Sequence, residues 1–218
     1  MSVFPLVSVL VPNFNSGNFL ERCLRSILSQ ETAYSFETIF VDDASTDESW
    51  SVAQKFKSEI KMLRHDENLG LPSALNTAID EARGRYVVRV DSDDYIGGKY
   101  LELLTLTLES NPLVDAVSCD YTTFDSESGG HQTLNWHSSE EEPIGCGIMF
   151  RTEHVREIGK FDSEMLYNED KELIKRFSRS GRKVTRLPIP LYRYRIHESS
   201  LSRNEGLVSE YDRRLAQK

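Results

Sequence analysis

Apolar runs and apolar stripes alternate along the first hundred residues of the chain. Residues 6–11 form an apolar run that is broken only by Ser8 and closed by Pro12, which is typical of a strand buried on both faces of a parallel sheet. Residues 19–28 instead repeat apolar side chains at helical spacing. The alternation continues and predicts strands at 38–41, 60–63 and 86–90 and helices at about 47–56 and 71–82. This order predicts a doubly wound, mostly parallel sheet flanked by helices.

The pattern is looser in the second half of the chain, where a smaller and mixed part is expected. Residues 121–137 are polar around Gly129 and Gly130 and predict a hairpin or a mobile loop. The last dozen residues predict a weak amphipathic helix or a frayed tail. The other expected elements are helices at 99–108 and 168–179 and extended segments at 114–119, 144–150 and 184–195. No repeat or linker divides the chain, so we expect a single domain over residues 1–218.

The composition disfavours several classes of protein. The net charge of −9 argues against nucleic acid as a partner, because neutralising phosphates requires a basic surface. The longest apolar stretches have the length of strands, so no membrane span is expected. Met1–Pro5 lacks the basic start and long apolar run of a signal peptide, and the three cysteines are too far apart to suggest a disulfide framework. Both features predict a cytoplasmic protein with reduced thiols.

Three polar groups follow directly after predicted strands. Asn13 and Asn15 follow the first strand, Asp42 and Asp43 follow the second, and the sequence Asp-Ser-Asp-Asp at 91–94 follows the fourth. In an open parallel sheet, ligands bind beyond the carboxyl ends of the strands. Because all three groups lie at the ends of predicted strands, the sequence predicts a ligand site at this edge of the sheet.

The segment Asp91–Asp94 brings three carboxylates together directly after a buried apolar run. A bound Mg²⁺ or Mn²⁺ would relieve their repulsion, because hard cations prefer carboxylate oxygen. If the strand continues, Asp91 and Asp93 lie on the same side of it. One of them would then reach a metal and the other a ribose hydroxyl or a metal-bound water. The alternative is a solvated acidic loop.

Other polar residues of the first half have both a structural and a functional interpretation. Asp42 and Asp43 either begin a loop or accept a hydrogen bond from a nucleobase. Asn68 either caps a turn before Gly70 or lies at a helix start that faces the nucleotide. The glycine-rich signatures of dehydrogenases and P-loop enzymes are absent from the sequence.

Two further candidates lie in the second half. Glu169 and Asp170 open a predicted helix, where acidic residues interact favourably with the helix dipole. The functional alternative is a general base that deprotonates an acceptor hydroxyl. His197 is either a hydrogen-bonded surface histidine or an additional metal ligand.

Taken in order, the motifs over about residues 6–202 resemble those of the family-2 glycosyltransferases, which have the nucleotide-diphospho-sugar transferase (GT-A) fold. The matching segments are residues 7–15, 41–47, 68–70 with Ala74 and Asn76, 91–94, 159–162, 169–170 and 192–195 with His197. Each segment is weak alone, but the ordered set is specific to the superfamily. The resemblance implies an α/β, Rossmann-like central sheet, with a nucleotide-binding half at about 1–98 and an acceptor-binding half at about 99–218.

The resemblance also implies a role for each matched position. Asp170 corresponds to the catalytic base of inverting members. Mn²⁺ or Mg²⁺ would be held by Asp91, Asp93 and His197, with Asp93 the more direct ligand. The residues expected to bind the nucleotide are Pro12, Asn13, Phe14, Asn15, Asp42, Asp43, Asn68, Asp91 and Ser92. Those expected to face the donor or acceptor sugar are Asp94, Gly145, Gly147 and Glu169.

The implied activity is inverting, metal-dependent transfer of a sugar from a nucleotide-diphospho-sugar. UDP-sugar is the expected donor, and the hydroxyl acceptor would be a glycan, a lipid-linked molecule or another compound, as in polysaccharide biosynthesis. One alternative is a nucleotide-sugar-binding module or a degenerate partner subunit, which the intact Asp-x-Asp and Glu-Asp pairs disfavour. The other is a sugar nucleotidyltransferase, which would require a glycine-rich basic loop after the first strand.

The sequence departs from the family pattern in two places. Leu75 occupies a position that is often Arg, so a base or phosphate contact is expected to be missing. The Gln-x-x-Arg-Trp motif of processive synthases is absent, so processive export of a polymer is not expected. The expected location is cytoplasmic, with peripheral attachment to the inner face of the membrane as the alternative.

Overall fold

A computed structural model of the protein describes residues 4–125, 135–141, 144–197, 211 and 213–215. The strands are β1 Val7–Asn13, β2 Phe36–Asp42, β3 Lys61–Arg64, β4 Tyr86–Arg89, β5 Tyr95–Ile96, β6 Ala116–Asp125, β7 Asn135–His137, β8 Ile148–Arg151 and β9 Val184–Ile196. The helices are α1 Gly17–Leu28, α2 Ser49–Gln54, α3 Leu71–Glu81, α4 Tyr100–Ser110, α5 Thr152–Glu157 and α6 Glu169–Arg179. The strands form one sheet in the order β3-β2-β1-β4-β8-β6-β9-β5, with β7 paired to β6.

The first four strands in this order are parallel to one another. β1 pairs with β2 on one side and with β4 on the other, and β2 also pairs with β3. β4 ends near Leu10, whose carbonyl accepts from the N–H of Val90, whereas β1 continues beside β2 as far as Asn13. Because backbone directions alternate, Pro12 faces the side on which β4 has ended. Its missing N–H therefore removes no ladder hydrogen bond, and the strand runs past the proline that was expected to close it.

The other half of the sheet is mixed. β8 runs antiparallel to both β4 and β6, and β9 runs parallel to β6 and antiparallel to β5. Pro188 and Pro190 lie where the register between β6 and β9 shifts. Proline is tolerated at such an irregularity, because the regular ladder is already interrupted there. The long strand β9 then brings residues 192–197 next to the turn that follows β4.

Successive side chains of the strands point to opposite faces of the sheet and pack into two apolar cores, one on each face. Val9 and Val11 pack on one face, with Leu24 of α1 and further residues of α2 and α4. Leu10 packs on the opposite face, with Leu75 of α3 and residues of α5 and α6. Helices thus cover both faces of the central strands, which explains why these strands are continuously apolar.

The predicted mostly parallel sheet flanked by helices is confirmed, with most element ends shifted by one or two residues. β6 is longer than predicted and runs to Asp125 rather than ending at residue 119. The sequence did not predict β5 and α5, which have 2 and 6 residues. Elements this short show too little periodicity to be recognised from the sequence.

β6 and β7 pair antiparallel through residues 121–123 and 135–137, which agrees with the hairpin alternative predicted for 121–137, and residues 126–134 lie outside the described residues. Most of the last dozen residues, predicted as a helix or a frayed tail, also lie outside them. Tyr211 and residues 213–215, which are described, are helical. Among the described residues, no helix has the length and apolar composition that crossing a membrane requires.

We expect Gly84→Ala to lower the free energy of unfolding by about 1–3 kcal/mol, because overpacking a core strand forces backbone shifts. The added Cβ would lie 2.5 Å from the backbone nitrogen of Ser8 in the central strand β1. Gly98→Ala is the matched control, since its Cβ would meet nothing closer than 3.5 Å. Urea unfolding of both variants measures the difference, and equal stability of the two would contradict this packing.

Candidate functional site

The ends of β1 and β2 meet in register and place Asn13 beside Asp42. Asn13 Nδ2 donates to Asp42 Oδ1 and to Ser45 Oγ, each at 3.0 Å. Asp42 Oδ2 lies 3.0 Å from the Nε of Arg64 in an ion pair. Within the described part of the chain, the buried Oδ1 of Asn13 has no hydrogen-bond partner. The two strand ends therefore form a rigid polar pair that retains an unused buried acceptor.

Asn15 connects the two loops that follow these strands. Its backbone N–H donates to Ser45 Oγ at 2.9 Å, and its Oδ1 accepts from the N–H of Thr46 at 2.9 Å. Phe14 precedes Asn15 in this loop, and its side chain is 49% exposed, whereas Pro12 is buried. The loop thus presents an aromatic ring beside the pair formed by the two strand ends.

The carboxylate of Asp43 binds the loop before α3 rather than the first strand. It accepts from the N–H groups of Leu69 at 2.9 Å and Gly70 at 2.8 Å, and its Oδ1 lies 2.6 Å from His65 Nδ1. Asn68 Nδ2 donates to the carbonyl of Asp43 at 3.3 Å. Both carboxylate oxygens therefore have partners within the protein, and Asp43 and Asn68 as nucleotide contacts stay predictions.

A buried ion-pair network lies where β4 ends. Arg89 donates to both oxygens of Asp91, at 2.5 and 3.0 Å, and to Glu169 Oε1 at 2.6 Å. Burial raises the pKa of Glu169, and the Arg89 guanidinium beside it partly offsets this effect. Burial also raises the pKa of Asp91, again opposed by Arg89. One guanidinium thus connects the acidic segment after β4 with the first turn of α6.

Residues 91–94 form a turn and do not continue strand β4. The expectation that Asp91 and Asp93 lie on the same side of a strand is therefore not met. Strand β4 ends at Arg89, and the N–H of Asp94 donates to the carbonyl of Asp91 at 3.0 Å. Asp91 faces Arg89, whereas Asp93 Oδ2 lies 2.9 Å from His197 Nε2. Ser92, between the two carboxylates, is buried. The structure therefore brings Asp93 and His197 together and directs Asp91 elsewhere.

The side chain of Asp94 holds β9 against the turn formed by residues 91–94. Its carboxylate accepts from Tyr192 Oη at 2.8 Å and from the backbone N–H of Arg195 at 2.7 Å. Burial raises the pKa of Asp94 well above its ordinary value. Arg195 Nε donates in addition to the carbonyl of Asp93 at 2.6 Å. These bonds position the end of β9 and thereby His197.

Asp170 lies in the first turn of α6, after Asn168 in a left-handed conformation with φ of 56°. Its Oδ2 accepts from the N–H of Gly145 at 2.8 Å, and its Oδ1 accepts from the N–H of Lys171 at 2.7 Å. A Cβ on Gly145 would lie 2.2 Å from the Cβ of Asp170. Glycine is therefore required at residue 145 for the carboxylate to lie where it does.

Gly147 also adopts a backbone conformation that favours glycine, with φ of +93°. A Cβ there would lie 3.7 Å from Cys119 Sγ and 3.9 Å from the side chain of Tyr192. Gly147 thus turns the chain between Gly145, which bonds Asp170, and the start of β8. The predicted sugar-facing segment 145–147 lies directly beside the predicted base.

Among the residues that the structure describes, two groups of side chains are considered as ligands of a divalent cation. Ligand atoms of Asp91, Asp94 and Cys146 lie within 4.8 Å of one another. Burial raises the pKa of the Cys146 thiol well above its ordinary value, and a protonated thiol is a poor ligand for a hard cation. Asp93 and His197 offer a carboxylate oxygen and an imidazole nitrogen, a donor set that fits Mn²⁺.

Several residues of the site were not predicted from the sequence. The clearest signal was Arg89, a charge inside the apolar run of residues 87–90, directly before the acidic segment. Such a charge requires a buried partner, and the sequence offered Asp91 as one candidate. Tyr192 and Arg195 lie in a segment that matched the family pattern without an assigned role, and His65 was not singled out. Their bonds to Asp94 and Asp43 join residues distant in the chain, which a local pattern does not reveal.

Known proteins resemble this chain in sequence, and solved structures resemble it in fold. A sequence profile described as Glycosyl transferase family 2 matches residues 8–171. The chain is 30% identical to the uncharacterized glycosyltransferase EpsJ of Bacillus subtilis, over 98% of this chain and 70% of EpsJ. The structure of S. aureus TarS 1–349 in complex with UDP-GlcNAc superimposes with a TM-score of 0.80 at 21% identity, over 97% of this chain and 65% of that chain.

A second solved structure has the same fold. Mannosyltransferase PcManGT from Pyrobaculum calidifontis, in complex with GDP-Man and Mn²⁺, superimposes with a TM-score of 0.71 at 22% identity. The match covers 91% of this chain and 59% of that chain. This protein therefore spans less than two thirds of either of the two solved chains.

The mostly parallel sheet and the likeness to these structures define the nucleotide-diphospho-sugar transferase (GT-A) class of fold. Since the family profile extends over residues 8–171, the protein belongs to glycosyl transferase family 2. The resemblance inferred from the ordered motifs is thus confirmed.

We expect Arg89→Met to lower the free energy of unfolding by about 3–5 kcal/mol, because it leaves the buried carboxylate of Glu169 and the partly buried carboxylate of Asp91 without their counter-charge. Adding Glu169→Gln to this variant should recover part of the loss, since it removes one of the two charges. Arg25→Met, which removes a guanidinium from an exposed ion pair with Glu21, should leave stability close to that of the wild type. Urea unfolding measures these stabilities, and equal stability of Arg89→Met and Arg25→Met would contradict the proposed role of the network.

Proposed function

We propose that this protein is an inverting glycosyltransferase that moves a sugar from a UDP-sugar to a hydroxyl acceptor in glycan or polysaccharide biosynthesis. Family membership supports the transferase class, and the shared fold of TarS with bound UDP-GlcNAc supports the donor. The observation that supports the mechanism is that the adjacent carboxylates of Glu169 and Asp170 differ in burial and in hydrogen-bond partners. Glu169 is buried and ion-paired with Arg89, whereas Asp170 is only partly buried and is held by backbone N–H groups.

Asp170 is the proposed catalytic base. Each of its oxygens accepts one backbone N–H, from Gly145 or from Lys171, and these bonds fix the direction of the carboxylate. A carboxylate oxygen has a second lone pair, so Asp170 can still take the proton of an acceptor hydroxyl. Inversion follows if that hydroxyl attacks the sugar from the side opposite to the leaving diphosphate.

Asn13 and Asp42 are proposed to receive the nucleobase, with Pro12 and Asn15 shaping the loop. The buried Oδ1 of Asn13 lacks a donor within the described part of the chain. A buried acceptor without a donor is costly, and an N–H group of the base would supply the missing hydrogen bond. The exposed ring of Phe14 offers a face on which the base can pack.

Asp93 and His197 are proposed to hold Mn²⁺ or Mg²⁺ together with Asp91. When bound, the cation would neutralise the diphosphate as it leaves the sugar. Arg89 already bonds both oxygens of Asp91, so ligation by Asp91 requires one of these bonds to be exchanged. Asp93, bonded to His197 and not to Arg89, is therefore the more accessible of the two aspartates.

Residues near the base are proposed to form the sugar pocket. Gly145 lets its backbone approach Asp170 closely and Gly147 allows the chain to turn beside it, so this segment is proposed to face the sugar, while Glu169 and Asp94 support the pocket through their own internal bonds. In this proposal residues 1–98 bind the donor, and residues 99–218 bind the acceptor.

We expect Asp170→Asn to lower kcat for transfer by at least about 100-fold, because an amide cannot accept the acceptor proton. UDP release from a panel of UDP-sugars, with and without saccharide acceptors, measures the rate, and calorimetry with UDP should show unchanged binding. Asp80→Asn, on the exposed side of α3, is the control and should behave as the wild type. Near-normal transfer by Asp170→Asn would refute the assignment. Wild-type protein that binds UDP but neither transfers nor hydrolyses would indicate a binding module.

We expect Asp93→Ala to weaken Mn²⁺-dependent binding of UDP by about tenfold or more, since loss of a ligand-shell partner typically has this effect. The affinity of the variant should then equal that of the wild type measured in a chelator. Calorimetric titration with UDP in the presence and absence of Mn²⁺ tests this, with Asp80→Ala as the control. An unchanged affinity of Asp93→Ala in Mn²⁺ would remove this residue from the metal site.

A further inference from the structure

Trp136 lies on the short strand β7 with 62% of its surface exposed. Its neighbours along the chain, Asn135 and Glu140, are also exposed, and Arg186 beside them is partly exposed. The surroundings are therefore polar, unlike the contiguous apolar patches that mark protein interfaces. Single exposed tryptophans are common, and two features distinguish Trp136, namely how its side chain is held and where it lies.

A buried carboxylate fixes the edge of the indole. Trp136 Nε1 donates to Asp120 Oδ2 at 3.0 Å, and Asp120 also accepts from Arg186 and from the backbone N–H of Ser139. The hydrogen bond from Arg186 lowers the pKa of Asp120 to about 2, so this acceptor stays charged near neutral pH. The indole is thus held in one orientation, with most of the ring exposed.

The opposite face of the hairpin is packed, which restrains β7 from that side as well. His137 stacks on Tyr121 with ring centroids 4.9 Å apart, and its Nε2 lies 3.0 Å from Thr123 Oγ1. A side chain on a strand restrained from both faces loses little freedom when it binds a ligand. Trp136 is therefore a preorganised contact rather than a mobile one.

The hairpin also borders the proposed base. Cys119, the residue before Asp120, donates its N–H to the carbonyl of Gly147 at 3.2 Å. Two residues earlier, Gly145 donates to Asp170. The strand that carries the anchor of the indole is therefore bonded directly to the segment that holds the base, on the acceptor half of the molecule.

We propose that Trp136 is a platform for a sugar ring of the acceptor, so that the acceptor is a saccharide or a molecule that carries one. This inference rests on the proposed transferase function. A pyranose ring has an apolar face of C–H groups that packs on an indole, and hydroxyls around its edge. Arg186 bonds the same carboxylate oxygen of Asp120 as the indole N–H and pairs with the exposed Glu140, so both side chains can bind such hydroxyls. A flexible polyol or an acyl chain would use neither the flat ring nor the charged rim as fully.

Tryptophan fluorescence tests binding, because the chain contains only two tryptophans, Trp50 and Trp136. In Trp50→Phe only Trp136 emits, and we expect a saturable change of emission with at least one of chitobiose, cellobiose, maltose and lactose. Trp136→Phe, in which Trp50 alone emits, should show no such change. The absence of any saturable change, or an equal change in both variants, would overturn the proposal.

Transfer kinetics test the role of the ring in the reaction. With the best disaccharide, Trp136→Ala should raise the KM for the acceptor by about tenfold or more and affect kcat much less. Trp136→Tyr should recover most of the loss, and Leu113→Ala, at another exposed apolar position, should keep the wild-type KM. An unchanged KM in Trp136→Ala would overturn the platform while leaving the transferase intact. Saccharide binding at Trp136 without any UDP release from UDP-sugars would instead overturn the proposed function.

Discussion

The ion pairs of Arg89 with Asp91 and Glu169 are the interaction on which the rest of the site depends. Three charged side chains are expensive to bury unless each has a partner of opposite charge. Arg89 is the shared partner of both carboxylates, and it thereby connects the turn after β4 to the first turn of α6. These two segments carry the proposed metal ligand and the proposed base, so one guanidinium sets the position of one relative to the other.

A second set of buried bonds completes the arrangement from β9. Asp94 accepts from Tyr192 and Arg195, and this contact brings His197 to Asp93. Of the proposed contacts, Asn13 and Asp42 end strands and Asp170 lies in a helix, whereas Asp93 and His197 lie in segments directly after β4 and β9 that these bonds hold in place. Sites supported in this way are held more precisely than sites built on loops alone, as displacement of a reacting group by an ångström is costly.

The sequence allowed the sheet, its carboxyl edge and the family to be predicted, because buried parallel strands and strand-end acids leave strong local patterns. It did not separate the roles of neighbouring acids. The residues themselves left the roles of Asp91 and Asp93 open, and only the family resemblance favoured Asp93 as the more direct ligand. In the structure the turn after β4 directs Asp91 to Arg89 and Asp93 to His197. Likewise, only the resemblance set Asp170 apart from Glu169 as the expected base, and the ion pair of Glu169 with Arg89 was not visible in the sequence. Such differences arise from partners far away in the chain, which no sequence window contains.

Stereochemistry gives the most direct test of the central claim, which is single displacement at the sugar with Asp170 as base. Proton NMR of the first-formed product, made from an α-linked UDP-sugar and a saccharide acceptor, reports the configuration of the new bond. Single displacement gives a β-linked product, recognised by the large coupling of its anomeric proton for a gluco-configured sugar. An α-linked product would contradict the account, because retention of configuration requires a different arrangement of groups around the sugar.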